Sequence, residues 1–401
     1  MMISLKADIA IVGAGLVGLA AAVALNNAGY EVIIIDARDP TQEKIDAEKE
    51  PWDNRIYAIS PQNAAWLKEL EVWQLLDTKR IGKMREMEIW GDDVLAPLTL
   101  SAEDANVDVM GFIIEGHALL KALLQRIEEL SIPTFFQKTC LNINKFKEKS
   151  ATIVSLSSRE SIECKLLLAA DGANSWVRQQ LEVPIQKKSY DQVGIVANFK
   201  VSKPHSDIAR QWFAKDIENK NSILALLPLP ENQISIVWSV SNEFGEHLLN
   251  LPEDVFTQEV AKAGAYCLGN LQLITAPASF SLSLQKSAKL IHDGVIFIGD
   301  ASHQVHPMAG QGMNIGFRDV IDLVKTLENK QAFQSINDPH LLRSYERERK
   351  ADIAQMVFVT DGLYKLFESQ GNIFKKIRNQ GLSLTNNAAI KKLLVTHAIS
   401  L

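Results

Sequence analysis

The chain has few cysteines: three in 401 residues, Cys140, Cys164 and Cys267. They are scattered and odd in number, with no CxxC pair and no Cys/His cluster. That excludes a disulfide framework and a zinc site, and the charge clusters needed for other metals are also missing. A basic excess is lacking too. The net charge is −6, which argues against a nucleic-acid binder. There is no low-complexity tract and no GxSxG nucleophile elbow. A long unbroken apolar run is also absent. Ile9 to Leu25 comes nearest, but Gly13, Gly15 and Gly18 interrupt it and Asn26 and Asn27 close it. Neither a signal peptide nor a membrane span of about 20 apolar residues fits such a segment. A reducing cytoplasm is the simplest expectation for the compartment.

What is present is the composition of an ordinary globular protein, 47% hydrophobic and 22% charged, with ample material for a large core. The length suggests two or three structural units. Asp8 to Val12 reads as a buried strand, followed by the glycine run Gly13-Ala14-Gly15-Leu16-Val17-Gly18 and an Ala/Leu-rich helix to about Asn27. A second strand, Glu31 to Ile35, ends in Asp36. In this order a GxGxxG run has a mechanism. Gly13 permits the tight turn, Gly15 lets a pyrophosphate approach the backbone, and Gly18 lets helix and strand pack closely. The helix N-terminus offers unpaired N–H groups, and a carboxylate at Asp36 can accept from a ribose. An adenine dinucleotide is expected, with FAD and NAD both open at this point.

Two more loops of the same kind follow. The strand Lys165 to Ala170 runs into Asp171-Gly172, within DGANSWVR, where a simple turn is the competing reading. The strand Val295 to Ile298 runs into Gly299-Asp300 and then His303 and His306. After these, Pro307 to Gly316 (PMAGQGMNIG) opens a helix. Glycines on both sides of Gln311 give a backbone that can lie against a flat ring and turn N–H groups toward its electron-rich edge. That favours a flavin over a nicotinamide.

The trio GAGLVG, DGANSWVR and GDASHQVHPMAGQGMNIGFRD resembles the single-component flavoprotein aromatic hydroxylases, with a fold like para-hydroxybenzoate hydroxylase. The last segment, with YERERKADIAQMVFVTDGLYKLF, is similar to the ubiquinone-pathway branch that acts on polyprenylated phenols. The likeness runs from Asp8 to about Gly381. It implies an α/β fold: a Rossmann-like FAD-binding domain (1–75, 101–185, 285–350), an inserted mixed β-sheet substrate domain (76–100, 186–284) and a C-terminal helical region (351–401). By this resemblance Gly13, Gly15 and Gly18 hold the FAD pyrophosphate and Asp36 the adenosine ribose. Arg55 runs near the flavin, Asp171 and Gly172 serve FAD and NAD(P)H, and Asp300 meets the ribityl chain. Pro307, Gly310, Gln311, Gly312, Met313 and Asn314 line the flavin ring. His117 stands where the family often has Arg, as a cofactor contact or a solvated helix start. His303 and His306 are read as packing or hydrogen-bonding residues rather than bases.

The implied chemistry is hydroxylation of an electron-rich ring carbon: NAD(P)H reduces the flavin, and O₂ adds to give a C4a-hydroperoxide whose distal oxygen is transferred. No second GxGxxG is present, so NAD(P)H is a transient visitor. The substrate wall is expected from three strands, Gly194 to Val201, Ser222 to Leu229 and Gln233 to Val240, with Phe199, Trp212, Leu224, Leu226, Pro228 and Trp238 as lining residues. Core packing is the bland alternative for each. A basic tail, with Lys365, Lys375, Lys376, Arg378, Lys391 and Lys392 beside apolar Met356, Val359, Leu363 and Leu366/Phe367, suggests peripheral membrane contact at the inner face, a solvated helix packing on the flavin domain, or a docking surface. That surface would serve a second copy or a quinone-biosynthesis complex. Rival readings are a hydroxylase of a small phenol, a halogenase or isoprenoid-lipid reductase on the same fold, and an inactive FAD-binding subunit. The halogenase WxWxIP motif does not occur.

Overall fold

The computed structural model describes residues 3–42, 52–91, 97–146, 151–216, 220–304 and 312–368, with side chains of the last helix through residue 357. The chain begins β1 (Ile3–Val12), α1 (Leu16–Asn27) and β2 (Val32–Asp36). It continues with β3 (Ile56–Ile59), α2 (Pro61–Glu69), β4 (Gly82–Met84), β5 (Glu86–Trp90), β6 (Leu98–Ser101) and β7 (Gly111–Glu115). Then come α3 (Gly116–Glu129), β8 (Thr134–Phe136), β9 (Cys140–Phe146), β10 (Ala151–Leu156), β11 (Glu160–Ala169) and α4 (Trp176–Gln180). The middle of the chain is β12 (Ile185–Val201), β13 (Ile208–Lys215), β14 (Asn221–Leu229), β15 (Gln233–Ser241), α5 (Asn242–Leu249) and α6 (Glu253–Ala263). It closes with β16 (Leu271–Leu273), β17 (Ala278–Ser287), β18 (Ile291–His292), β19 (Val295–Phe297), β20 (His303–Gln304), α7 (Gly312–Glu328) and α8 (Pro339–Glu368).

The first sheet is doubly wound. β1 lies parallel between β11 and β2, β19 is parallel to β11, and β8 is parallel to β2. Alternation along β1 sends Ile9 and Ile11 to a core shared with α1, α3 and α7, and Ala10 and Val12 to a core under β9, β10 and α4. Gly18 to Leu25 on α1 are all buried, so this helix is enclosed rather than amphipathic. The close approach is visible at Gly18, where an added Cβ would sit 2.0 Å from the Gly13 carbonyl oxygen. At Gly316 of α7 it would meet the Val17 side chain at 2.7 Å, so a glycine lets α7 cross α1.

The second sheet runs β20-β17-β12-β15-β14-β13-β5-β6, with β16 beside β12. It draws its strands from 86–101 and 185–287, with His303–Gln304 added at one edge. One face is covered by α5 and α6: Ile195, Ala197, Phe199, Leu224, Leu226, Ile236 and Trp238 pack there against Phe244, Leu248, Phe256 and Val260. A three-stranded sheet, β3-β7-β4, packs against β14 of the second sheet and against α2 and α3 of the first domain. Among the described residues no helix is long and apolar enough to cross a membrane.

Candidate cofactor and substrate site

Four parallel strands, β1, β2, β11 and β19, present their C-terminal ends to one cleft. It is lined by Ala14, Gly15, Leu16, Val17, Asp36, Arg38, Arg55, Tyr57, Gly116, His117, Ala170, Gly172, Gly299, Asp300 and Met313, among others. This is where a doubly wound sheet accepts a ligand. Three loops that are far apart in sequence are locked to each other by backbone contact. Gly13, at φ +112°, lies so close to the second loop that a Cβ would sit 2.3 Å from the Ala170 carbonyl oxygen. Arg178, in the helix after Asp171-Gly172, donates from Nη1 to the Ala301 carbonyl and from Nη2 to the Ala173 carbonyl, both at 2.7 Å. It therefore ties the second loop to the third.

The cleft has the features a dinucleotide needs. A Cβ on Gly15 would meet nothing within 4 Å, so the backbone is bare toward the open space. Gly15 is also the N-cap of α1 and no side chain caps that helix, whereas α2 is capped by Ser60 and α4 by Ser175. The first N–H groups of α1 are left for an anion, and the dipole favours one. The Asp36 carboxylate is held by two backbone groups. Its Oδ2 accepts from the Ala14 N–H at 2.7 Å and its Oδ1 from the Arg38 N–H at 2.8 Å. Each oxygen retains a second lone pair for a sugar hydroxyl. Asp300 opens into the cleft and makes no hydrogen bond among the described residues. Although the cleft exposes it, the enclosing protein pushes its carboxyl above the ordinary carboxylate value, with His303 pulling the other way. An added polyol that donates hydrogen bonds would relieve that cost.

Arg55 and His117 both face the cleft. Arg55 makes no ion pair among the described residues, so its guanidinium is available to an anionic ligand. His117 is held at the start of α3 by Asp53, whose Oδ2 accepts from the His117 N–H at 3.0 Å and lies 3.4 Å from its Nδ1. Asp171 is placed differently from Gly172: its Oδ2 accepts from the Val177 N–H at 3.0 Å and caps α4, while Gly172, at φ +81°, lines the cleft. Burial raises the Asp171 carboxyl above its usual range.

Of the expected flavin-ring residues, Pro307, Gly310 and Gln311 lie outside the described residues, as does His306. Met313 lines the cleft. Gly312 begins α7. The side chain of Asn314 is spent elsewhere. Its Oδ1 accepts from the Ser60 N–H at 3.0 Å and from Asn63 Nδ2 at 2.8 Å, and its Nδ2 donates to the Ala58 carbonyl at 2.9 Å. It tethers β3 and α2 to α7. His303 is committed too, with Nε2 2.7 Å from Asp319 Oδ2 and both side chains 2% exposed. The basic-tail residues Lys375, Lys376, Arg378, Lys391 and Lys392 lie outside the described residues, and so do the side chains of Val359, Leu363, Lys365, Leu366 and Phe367. Met356 is buried against α7.

The substrate-wall expectation is corrected at the level of side chains. Phe199, Leu224, Leu226 and Trp238 belong to the core under α5 and α6, and Trp212 packs against that core while stacking on Trp90. Pro228 falls on the same alternation, and its carbonyl faces Gly82 of the small sheet. The strands lie where expected, but their inward and outward residues are the reverse of the expectation. From Ile223 to Leu229 β14 is apolar throughout and carries no period-two signal. The opposite face is the one that meets the cofactor domain: Asn198 Nδ2 donates to the Asp53 carbonyl at 2.9 Å. On that face Ala225, Leu227 and Val237 are only partly buried, and Gly194 lies beneath the half-exposed ring of Phe280.

Asp319 also gives the fold a pH dependence. Burial pushes its carboxyl up, but His303, Arg349 and the Gly299 N–H outweigh that, and the net value lies below the usual one. Its stabilisation is therefore complete above the ordinary carboxylate range and is lost as pH falls through the depressed folded value. In thermal melts across about pH 3 to 7, Asp319→Asn should start lower near neutrality and lose less on acidification than the parent. A parallel offset between the two curves would refute the assignment.

A doubly wound domain with glycine loops and acids around one cleft, joined to a second sheet, defines a dinucleotide-binding protein. The chain belongs to the FAD binding domain family, whose model matches residues 6–360. It is 30% identical over 386 residues to the 3-demethoxyubiquinol 3-hydroxylase of Escherichia coli, covering 96% of each chain. It is also 30% identical to the ubiquinone hydroxylase UbiL of Rhodospirillum rubrum, over 98% of this chain and 89% of that one. The fold is similar to PqsL of Pseudomonas aeruginosa, solved with 2-aminobenzoylacetate, at a TM-score of 0.76 and 18% identity over 95% of this chain and 100% of the other.

Proposed function

We propose that the protein is an FAD-dependent monooxygenase that uses NAD(P)H and O₂ to hydroxylate the ring of a polyprenylated phenol or quinol in ubiquinone biosynthesis. The carrying observation is the end-to-end match to the Escherichia coli hydroxylase, 96% of both chains. The cleft supports it. Gly15 and the uncapped start of α1 take the pyrophosphate, Asp36 the adenosine ribose, and Asp300 the ribityl chain. Arg55, Tyr57 and His117 close the cleft toward the flavin.

Bound FAD supplies the redox chemistry, accepting hydride and activating O₂. The residues of this chain provide position and dryness. The open sheet face, with Ala225, Leu227 and Val237, forms the apolar wall on which the ring and prenyl chain lie, and it keeps water from the oxygen-transfer site. The Asn198–Asp53 hydrogen bond holds this wall at a fixed distance from the His117 segment.

The direct experiment is NAD(P)H consumption by the FAD-loaded protein with and without a prenylated phenol, with mass analysis of the product. Stimulation by substrate and a product heavier by one oxygen are expected. A protein that binds FAD but shows neither is an inactive subunit. Deletion of the gene should cause a quinone precursor to accumulate, and unchanged quinones would end the pathway assignment.

A further inference from the structure

The most heavily buried charged group in the described residues lies outside the cleft. Arg349 of α8 is 1% exposed, and Asp319 of α7 is 2% exposed. Asp319 divides its carboxylate between two elements. Oδ2 accepts from the Gly299 N–H at 2.8 Å and from His303 Nε2 at 2.7 Å, while Oδ1 accepts from Arg349 Nε at 2.8 Å. Arg349 Nη1 reaches Asp322 at 2.8 Å and Asp352 at 2.6 Å, so it is fixed from three sides. A charge buried this deeply is costly unless it is paired, and burying such a set gains little stability over apolar packing. A stability role alone explains it poorly.

The geometry explains it better. Gly299 sits at φ +56°, immediately before Asp300, and its N–H direction fixes how the loop turns. An N–H in such a turn that lacks an acceptor is free to reorient, and the neighbouring Asp300 carboxylate moves with it. We propose that Asp319 and Arg349 form a positioning relay through which α8 sets the Gly299–Asp300 loop and thereby the grip on FAD. This rests on the reading of Asp300 as the ribityl contact. Neither residue touches the cofactor: Asp319 holds the loop, and Arg349 holds Asp319. The helix α8 thus becomes part of the cofactor site although none of its described residues lines the cleft.

A neighbouring ion pair supplies the control. Arg318 Nε pairs with Asp352 at 2.9 Å across the same α7–α8 contact. It shares that acceptor with Arg349 but does not touch Asp319, so it tells a relay through Asp319 from one through Asp352. Purified apo-protein of the parent, Asp319→Asn, Arg349→Met and Arg318→Met is titrated with FAD, following flavin fluorescence and the visible absorption maxima. The expected result is at least tenfold weaker FAD binding and shifted maxima for Asp319→Asn and Arg349→Met, with Arg318→Met within about threefold of the parent. If Asp319→Asn does not fold, Arg349→Lys, which keeps the charge but loses the planar fork, carries the test with a several-fold loss. Two results overturn the relay: Asp319 and Arg349 variants that bind FAD like the parent, or an Arg318→Met that weakens binding as much as they do. A parent that takes up no FAD at all would instead refute the underlying cofactor reading.

Discussion

Gly15→Val is expected to yield a folded protein that has lost its flavin. The position is extended (φ −77°, ψ 177°), which a β-branched residue adopts readily, and the added Cβ points into empty space. The cost to the fold is that of a poorer N-cap, about 1 kcal/mol or less. The cost to the ligand is steric, since the side chain occupies the volume through which a pyrophosphate must approach the α1 N–H groups. FAD affinity should fall by a factor of about a hundred or more, which is about 2.7 kcal/mol. Equilibrium dialysis measures this, and circular dichroism confirms the fold. Gly13→Ala is the informative contrast. At φ +112°, with a Cβ 2.3 Å from the Ala170 carbonyl oxygen, it should destabilise the protein itself. A Gly15→Val protein that is yellow after purification would show that the ligand does not cross the glycine loop.

The second large effect separates the two faces of β14. Ala225→Trp adds a large ring on the partly open face that meets the cofactor domain. It should leave FAD binding within about twofold of the parent but reduce kcat/KM for the prenylated phenol by about a hundredfold, roughly 2.7 kcal/mol. The next residue points the other way. Leu226 is 4% exposed in the core under α5 and α6, so Leu226→Ala should cost about 2 to 5 kcal/mol of stability with little change in KM for the folded enzyme. The pair tests the assignment of faces in one comparison. If Leu226→Ala changed KM and Ala225→Trp did not, the wall would have to be reassigned to the helix-covered face.

The glycine loops are legible in the sequence because each glycine there meets a specific steric or conformational demand. Gly13 makes the tight turn and Gly18 the close helix–strand contact that their spacing implies, Gly15 is bare toward the cleft, and Asp36 ends the second strand. Three strands of the second sheet are legible as well, with turn-formers such as Pro230 and Asn232 between two of them, whereas the division into domains is implied only by the family resemblance. Three kinds of information are not legible. The first is face assignment in the apolar run Ile223–Leu229 of β14, where no alternation says which side chains lie under α5 and α6; in β15 the alternation of Ile234, Ile236 and Trp238 with Ser235 and Ser239 does mark the covered face. The second is the role of polar residues that act over long sequence separations. Nothing local marks Asn198 as a partner of Asp53, 145 positions away, or Asp319 as the acceptor for Gly299. The third is the difference between a residue in a motif and a side chain in a site. Asn314 sits in the flavin-loop motif, yet its amide ties β3 and α2 to α7.

Three distant loops gripping one FAD are the foundation of the functional reading. The most direct measurement is reconstitution of the purified protein with FAD, followed by gel filtration and a visible spectrum. A yellow protein carrying one flavin per chain is expected, and a colourless one for Gly15→Val. A parent protein that emerges colourless from excess FAD, while folded by circular dichroism, would contradict it.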